Sequence, residues 1–226
     1  MKGKQINTLC KTIGTFCDKV PMKEKLTTVD PAHILMMQIE SLDKTPIFGI
    51  VNDDVVLDVD EVLKIKIGDK EELSPSMENF RYTLYNDVTK YSFIVDENVH
   101  RDPKVPNLTE LKRFDNINTK KFLEISNQAS IISDYIILDV ADKKLRTFTE
   151  DKKNSTQITK ILCPSIDWDY DIRVCFPLDY LKRILKVVST PTFTLDLDTD
   201  YPCRITWADE WYKYRVLLAP RIENKE

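Results

Sequence analysis

Alternation of apolar and polar residues, repeated in segment after segment, limits this chain more than any other feature. TFTLDLDTD sets Phe193, Leu195 and Leu197 against threonine and aspartate. That is the pattern of a sheet with one buried face and one wet face. DYIILDV, LRTFTED, STQITKIL, CRITWAD and YKYRVLLA repeat it in the second half, as do KLTTVD, HILMMQIE, DVVLDV, RYTLY and YSFIVD in the first. Helical spacing is scarce and short. Ile6, Leu9, Cys10 and Ile13 predict a helix of about three turns. Asp58 to Ile65 predicts another, with Val59, Val62 and Ile65 on one face. Asn118 to Gln128 predicts a third, capped by Asn118 or Thr119, with Phe122, Ile125 and Ala129 as its stripe. The clearest runs from Pro177 to Val187, with Leu178, Leu181, Ile184 and Leu185 inward and Lys182, Arg183 and Lys186 outward.

The order is therefore helix, strands, helix, strands, performed once before residue 95 and again after residue 117. Similar helix spacing in the two halves suggests a duplicated unit. Between them, DENVHRDPKVPNLTELKRF is rich in charge and proline and reads as a linker. The expectation is two α+β domains, 1–94 and 118–226, joined by a connecting loop at 95–117. The chain closes on YRVLLAPRIENKE, whose Leu217, Leu218 and Ile222 keep it apolar around a proline that blocks sheet pairing. Such a tail is expected to dock against something.

Composition narrows the function classes. No stretch has the apolar length of a membrane span, and MKGKQINTLCK lacks a signal peptide's apolar core, so an intracellular protein without a membrane partner is expected. Five cysteines without a C-x-x-C pair read as reduced thiols, and two histidines make a histidine-based metal site a poor expectation. The net charge of −4 divides unevenly, with lysines near the helices and aspartates on the strands.

Two constellations raise the question of catalysis. His33 opens an apolar strand after the Asp30-Pro31 turn, but no nucleophile motif accompanies it, so a structural or partner-contact role is the better reading. Asp167, Asp169 and Asp171, and likewise Asp196, Asp198 and Asp200, would share strand faces, and clustered carboxylates can hold magnesium for phosphoryl transfer. A solvated acidic face explains the same alternation. Against this stand the basic residues on or beside all the helices: Lys4 and Lys11, Lys64 and Lys66, Lys120 and Lys121, and Lys182, Arg183 and Lys186. Such side chains meet phosphates without reading sequence. No aromatic platform accompanies them, which argues against single-strand binding.

VDPAHILMMQIE, PLDYLKRILKVV, DTDYP and LLAPRIE, in that order and with KVPNL between the halves, resemble the archaeal and eukaryotic sliding clamp family, proliferating cell nuclear antigen (PCNA). The resemblance spans nearly the whole chain. It implies two similar α+β clamp domains per subunit and three subunits closing as a homotrimer around duplex DNA, with helices lining the hole and sheets outside. The implied function is a non-catalytic processivity factor for DNA replication and repair that needs no cofactor and holds no metal. By the family pattern the nine basic residues named above face DNA. The strand carrying Tyr91, Phe93 and Val95 pairs with the next subunit's Thr156, Ile158 and Lys160. A pocket for PCNA-interacting peptides (PIP boxes) uses Val29, His33, Ile34, Met36, Val105, Pro106, Pro202, Leu218, Ala219, Pro220 and Ile222. DNA polymerase, flap endonuclease, DNA ligase and clamp loader are the implied clients, in the cytoplasm or nucleoid of an archaeal or viral system or in a eukaryotic nucleus.

The chain departs from the family pattern in places. Gln5 already reads as helical, so the strand that opens the family is short or lost. Glu124 and Asn127 stand where relatives carry arginine, and hairpins use charged turns such as ADKKL. Three other readings stay open: a monomeric accessory, a subunit of a heterotrimer, and a magnesium-dependent phosphoryl-transfer enzyme built on the aspartates.

Overall fold

The computed structural model describes residues 1–98, 103–108, 110–151 and 156–221. The chain forms two compact units, one of residues 1–105 with 209–214, the other of residues 106–208 with 215–226.

The first unit opens with α1 (Gly3–Gly14), whose Ile6, Leu9, Cys10 and Ile13 are buried. At Gly3 a Cβ would lie 2.1 Å from the Gly68 carbonyl oxygen, so only glycine lets the helix start this close to that backbone. Upstream, Lys2 makes a single antiparallel bridge to Glu72, all that stands where a leading strand would pair. α2 (Val59–Lys64) packs on α1. Asp58 caps it, its carboxylate accepting from the N–H groups of Asp60 and Glu61 at 3.0 and 3.2 Å.

The strands are β1 (Lys19–Met22), β2 (Lys25–Val29), β3 (Leu35–Ser41), β4 (Asn52–Asp58), β5 (Ser74–Glu78), β6 (Arg81–Tyr85) and β7 (Lys90–Glu97). Five form an antiparallel sheet in the order β1-β4-β7-β6-β5, and β2 and β3 form a hairpin. Tyr82 lies at the centre of the core, stacked on Phe93 at 6.2 Å and donating to the Phe48 carbonyl at 2.8 Å. Tyr212 fills a similar place, donating to the Ile47 carbonyl and accepting from Gln5.

The second unit holds β8 (Lys112–Asn118), α3 (Thr119–Ala129), β9 (Tyr135–Ala141), β10 (Lys144–Asp151), β11 (Thr156–Cys163), β12 (Ile172–Pro177), α4 (Leu178–Val187), β13 (Thr192–Leu197), β14 (Cys203–Ala208) and the 215–218 part of β15 (Tyr212–Leu218). One sheet runs β11-β10-β9-β12, and β15, β14, β13 and β8 follow one another in a second. Asn118 caps α3, accepting from the Lys121 N–H at 2.8 Å. α4 follows Pro177 without a side-chain cap, and its Leu178 N–H donates to the Asp134 carbonyl instead. The ADKKL turn between β9 and β10 puts Asp142 and Lys143 at φ 51° and 56°, a left-handed pair that usually calls for Asn-Gly. Arg146 donates back to the Asp142 carboxylate at 2.6 Å and helps to hold it.

β8 lies inside the stretch that reads as a linker. Its core residues Phe114 and Ile117 are three apart, because Asn116 takes φ 58° where the pairing with β13 slips between Phe193 and Leu195.

Candidate functional site

The expected aspartate ladders do not form. Asp167, Asp169 and Asp171 lie in the exposed connection between β11 and β12, off any strand. In the other set the strand ends at Leu197, Asp198 precedes a turn, and Asp200 adopts φ 61°. Asp196 instead lies on the sheet face opposite Leu195 and Leu197, buried beneath the arginines paired with it on both sides. It is 1% exposed and takes hydrogen bonds from Arg113 Nε at 2.9 Å and Arg204 Nε at 2.7 Å. Its carboxylate beside Arg113 pushes that guanidinium further above its ordinary range. Among the described residues, no group of three or more His, Cys, Asp and Glu side chains has the geometry to hold a metal ion.

The VDPAH motif is a turn built on one carboxylate. Asp30, 4% exposed, accepts from the N–H groups of Ala32, Ile34 and Leu35 at 3.2, 2.8 and 2.6 Å, while its own N–H donates to the Leu35 carbonyl. His33 sits at the apex with φ 57°, exposed, its N–H on the Asp30 carbonyl. Val29 and Met36 face one another in the hairpin register and, like Ile34, are half-buried. Four of the expected pocket residues thus cluster around one hairpin.

The others come from other segments of the chain. Val105 and Pro106 are exposed and Pro202 is half-buried. In the tail, Ala219 and Pro220 are half-buried, but Leu218 is wholly buried. Leu218 is a core residue and cannot line an open groove, because it closes β15 on the core side. Ile222 lies outside the described residues. The tail does dock: the Arg221 N–H donates to the Cys175 carbonyl of β12 at 2.8 Å, and its guanidinium lies 4.5 Å from the Tyr135 ring centre.

Eight of the nine basic residues lie on the helices and Lys66 follows α2, in varied states. Lys11, Lys66, Lys121 and Lys186 are exposed. Lys64 pairs with Glu61 on the preceding turn, and Lys120 lies 4.0 Å from Glu124, which offsets charge on that face of α3. Lys182 donates to the Ser130 hydroxyl at 3.0 Å, and Arg183 sits over Tyr180 at 5.4 Å. Lys4 lies 5.7 Å over the Trp211 ring, a contact that the alternation of the sequence gives no means of finding.

The expected subunit edges differ from one another. β11 is the edge of its sheet, paired to β10, with Thr156 and Lys160 exposed and Ile158 half-buried. Ile158, Thr159 and Lys160 line a groove of about 430 Å³ with Gln128, Ile131 and Ile132, and Ile131 is 82% exposed. β7 instead lies between two strands of its own sheet: Lys90–Ile94 pair with β6 and Val95–Glu97 with β4. Phe93 and Val95 are buried core residues, and the Tyr91 hydroxyl donates to Glu71, so these side chains are not available to a neighbour as a row. Period-2 alternation turns Phe93 and Val95 inward and leaves Ile94, 67% exposed, as the outward apolar residue.

No family model matches the chain. Curated proteins do match it over almost its whole length. A DNA polymerase sliding clamp of Thermoplasma volcanium is 25% identical over 240 residues, covering 98% of this chain and 96% of that protein. One from Methanocella arvoryzae is 28% identical over 212 residues, covering 87% and 85%. Among solved structures, A. fulgidus PCNA with the C-terminal region of FEN-1 bound superposes with a TM-score of 0.78 at 22% identity, covering 100% of this chain and 98% of that one. A PCNA2-PCNA3 complex from Sulfolobus tokodaii gives a chain with a TM-score of 0.72 at 18% identity, covering 99% and 98%. With two α+β units in helix-strand repeat, the chain shares the fold of PCNA and is similar in sequence, almost from end to end, to DNA polymerase sliding clamps.

Proposed function

We propose that this chain is a DNA sliding clamp, a processivity factor that encircles duplex DNA and tethers replication and repair enzymes. The observation that carries the reading is the match, over 98% of the chain, to a protein named as a DNA polymerase sliding clamp. The helices support it by presenting lysines at exposed positions in both units. Loose phosphate contact without base readout suits a ring that must move along DNA. Three copies closing the ring would meet through the open edge of β11 and its apolar groove. Client peptides would engage the exposed and half-buried apolar residues of the VDPAH hairpin, the Val105–Pro106 segment and the Ala219–Pro220 tail, the helix or strand of the peptide being seated on apolar anchors. Met36 would adapt to anchors of different shape. The chain would perform no chemical step itself.

The test is primer extension by a replicative polymerase on singly primed circular DNA, with this protein and a clamp loader of archaeal type. Longer products per binding event support the reading, and unchanged product length at saturating protein would overturn it. Linearising the template must abolish the effect, since a ring slides off a free end.

A further inference from the structure

We infer that Arg204 is a positioning residue for client binding: held by the buried carboxylate of Asp196, it anchors the segment that follows Val105. The inference rests on the clamp reading and extends it to a residue that does not itself touch the client. Asp196 on β13 stands directly opposite Arg113 on β8 and Arg204 on β14, so three neighbouring strands bring one carboxylate and two guanidinium groups into a single row. Each arginine gives its Nε to a different oxygen of Asp196. Arg204 then extends Nη1 to the Leu108 carbonyl at 3.4 Å.

The placement is unusual for a strand. Leu195 and Leu197 on either side of Asp196 are buried, and an apolar residue at 196 would bury at less desolvation cost than a carboxylate. A buried carboxylate held under one half-buried and one exposed arginine is a poor source of net stability, but it fixes direction, because each planar guanidinium must align with the carboxylate. With its Nε committed to Asp196, the Arg204 fork has little freedom, and its outer nitrogen meets the Leu108 carbonyl. Pro106 and Asn107 immediately before it are exposed. An exposed segment held at one carbonyl keeps its apolar residues in place for a client and reduces the ordering cost of binding.

The test uses Arg204→Lys in the full chain. Lysine keeps a positive charge against Asp196, but its single ammonium cannot serve the carboxylate and the Leu108 carbonyl together. The probe is a synthetic peptide of the FEN-1 C-terminal region, followed by fluorescence anisotropy. Loss of one hydrogen bond corresponds to a weakening of up to about tenfold, expressed in faster dissociation. Hydrogen exchange across residues 106–111 should quicken while the melting temperature changes little. Arg113→Lys touches the same carboxylate without reaching the loop, so its effect on affinity and exchange should be smaller. Equal effects from the two variants, or unchanged exchange in Arg204→Lys, would overturn the inference. If the unaltered chain fails to bind the peptide, the client reading falls instead, and exchange alone then decides whether Arg204 anchors the loop.

Discussion

Arg221 is fixed to the second unit twice, by its backbone N–H on the Cys175 carbonyl and by its guanidinium 4.5 Å from the ring centre of Tyr135. The tail therefore leaves β15 and runs along β12, where Pro220 ends any further ladder through its missing N–H. A cation over an aromatic face at a partly exposed site contributes about 0.5–1 kcal/mol. Arg221→Ala should therefore weaken binding of the FEN-1 C-terminal peptide by about two- to fivefold, with the fold intact by circular dichroism. Arg221→Lys should recover part of the loss. Unchanged affinity in the alanine variant would separate the tail from client binding.

The VDPAH turn supplies a stability prediction. Asp30 satisfies three backbone N–H groups at once, and the one on Leu35 is buried. Removing the acceptor strands that donor and loosens a turn in which His33 already holds a left-handed backbone. Asp30→Ala should destabilise the protein by about 2 kcal/mol, read from urea unfolding, and Asp30→Asn by less. A change within about 0.5 kcal/mol would mean that the hairpin holds its shape without the carboxylate.

Much of this architecture is legible in the sequence, and the failures have physical causes. The helices are readable because their apolar residues keep a 3.6 period and because Asp58 and Asn118 stand at their starts as caps. β5 is hard to see because its residues, including Pro75, are half-buried or exposed and carry no alternation. β8 is hidden because a bulge gives its core residues a spacing of three, which imitates a helix. Asp196 is misread because alternation assigns it the outer face but knows nothing of the arginines on adjacent strands that bury its carboxylate there. The hairpin around Asp30 is legible as a turn, whereas the burial of Leu218 depends on contacts remote in sequence.

High pH should loosen the protein. Burial pushes the Cys10 and Cys203 thiols up to about 12 and the Cys17 thiol up to about 11, from an ordinary value of 9.0. Burial likewise raises the Tyr82, Tyr212 and Tyr214 phenols. A group whose folded pKa lies above its unfolded value gives stability that is whole below the unfolded value and drains away as pH rises towards the folded one. The melting temperature should therefore fall from about pH 9 upward, before those thiols ionise in the folded state. A flat profile between pH 8 and 11 would contradict the burial of these groups. Cys10→Ala, which removes one of them, should flatten the slope even if it lowers stability at neutral pH.

The helix lysines predict a pattern of salt dependence. Lys121 and Lys186 are exposed, whereas Lys64, Lys120 and Lys182 already have partners on the protein. Counterion release scales with the phosphates actually neutralised. Lys121→Gln with Lys186→Gln should then reduce the salt slope of DNA association, and the polymerase stimulation, more than Lys120→Gln with Lys182→Gln. The reverse order would show that the intrachain partners release their lysines when DNA is present.

In the proposed ring, association between chains would rest on β11 and its groove. An open antiparallel edge offers backbone pairing, and Ile131 beside it, 82% exposed, gives apolar area that a neighbour could cover. Sedimentation equilibrium over a wide concentration range should give a mass near three chains for the unaltered protein. Ile131→Glu with Ile158→Glu places two carboxylates in the groove, where a neighbour would have to desolvate them. That variant should sediment as a single chain while its melting temperature stays close to the original, since neither side chain is in the core. A trimer that survives both substitutions would show that closure runs through another edge. A single-chain mass for the unaltered protein would mean that β7, paired to β4 and β6 with Phe93 and Val95 facing the core, leaves β11 without a complementary strand on a second copy. The partner would then have to be a different clamp subunit, and mixing the chain with candidate subunits in the same centrifuge cell would identify it by the appearance of the larger species.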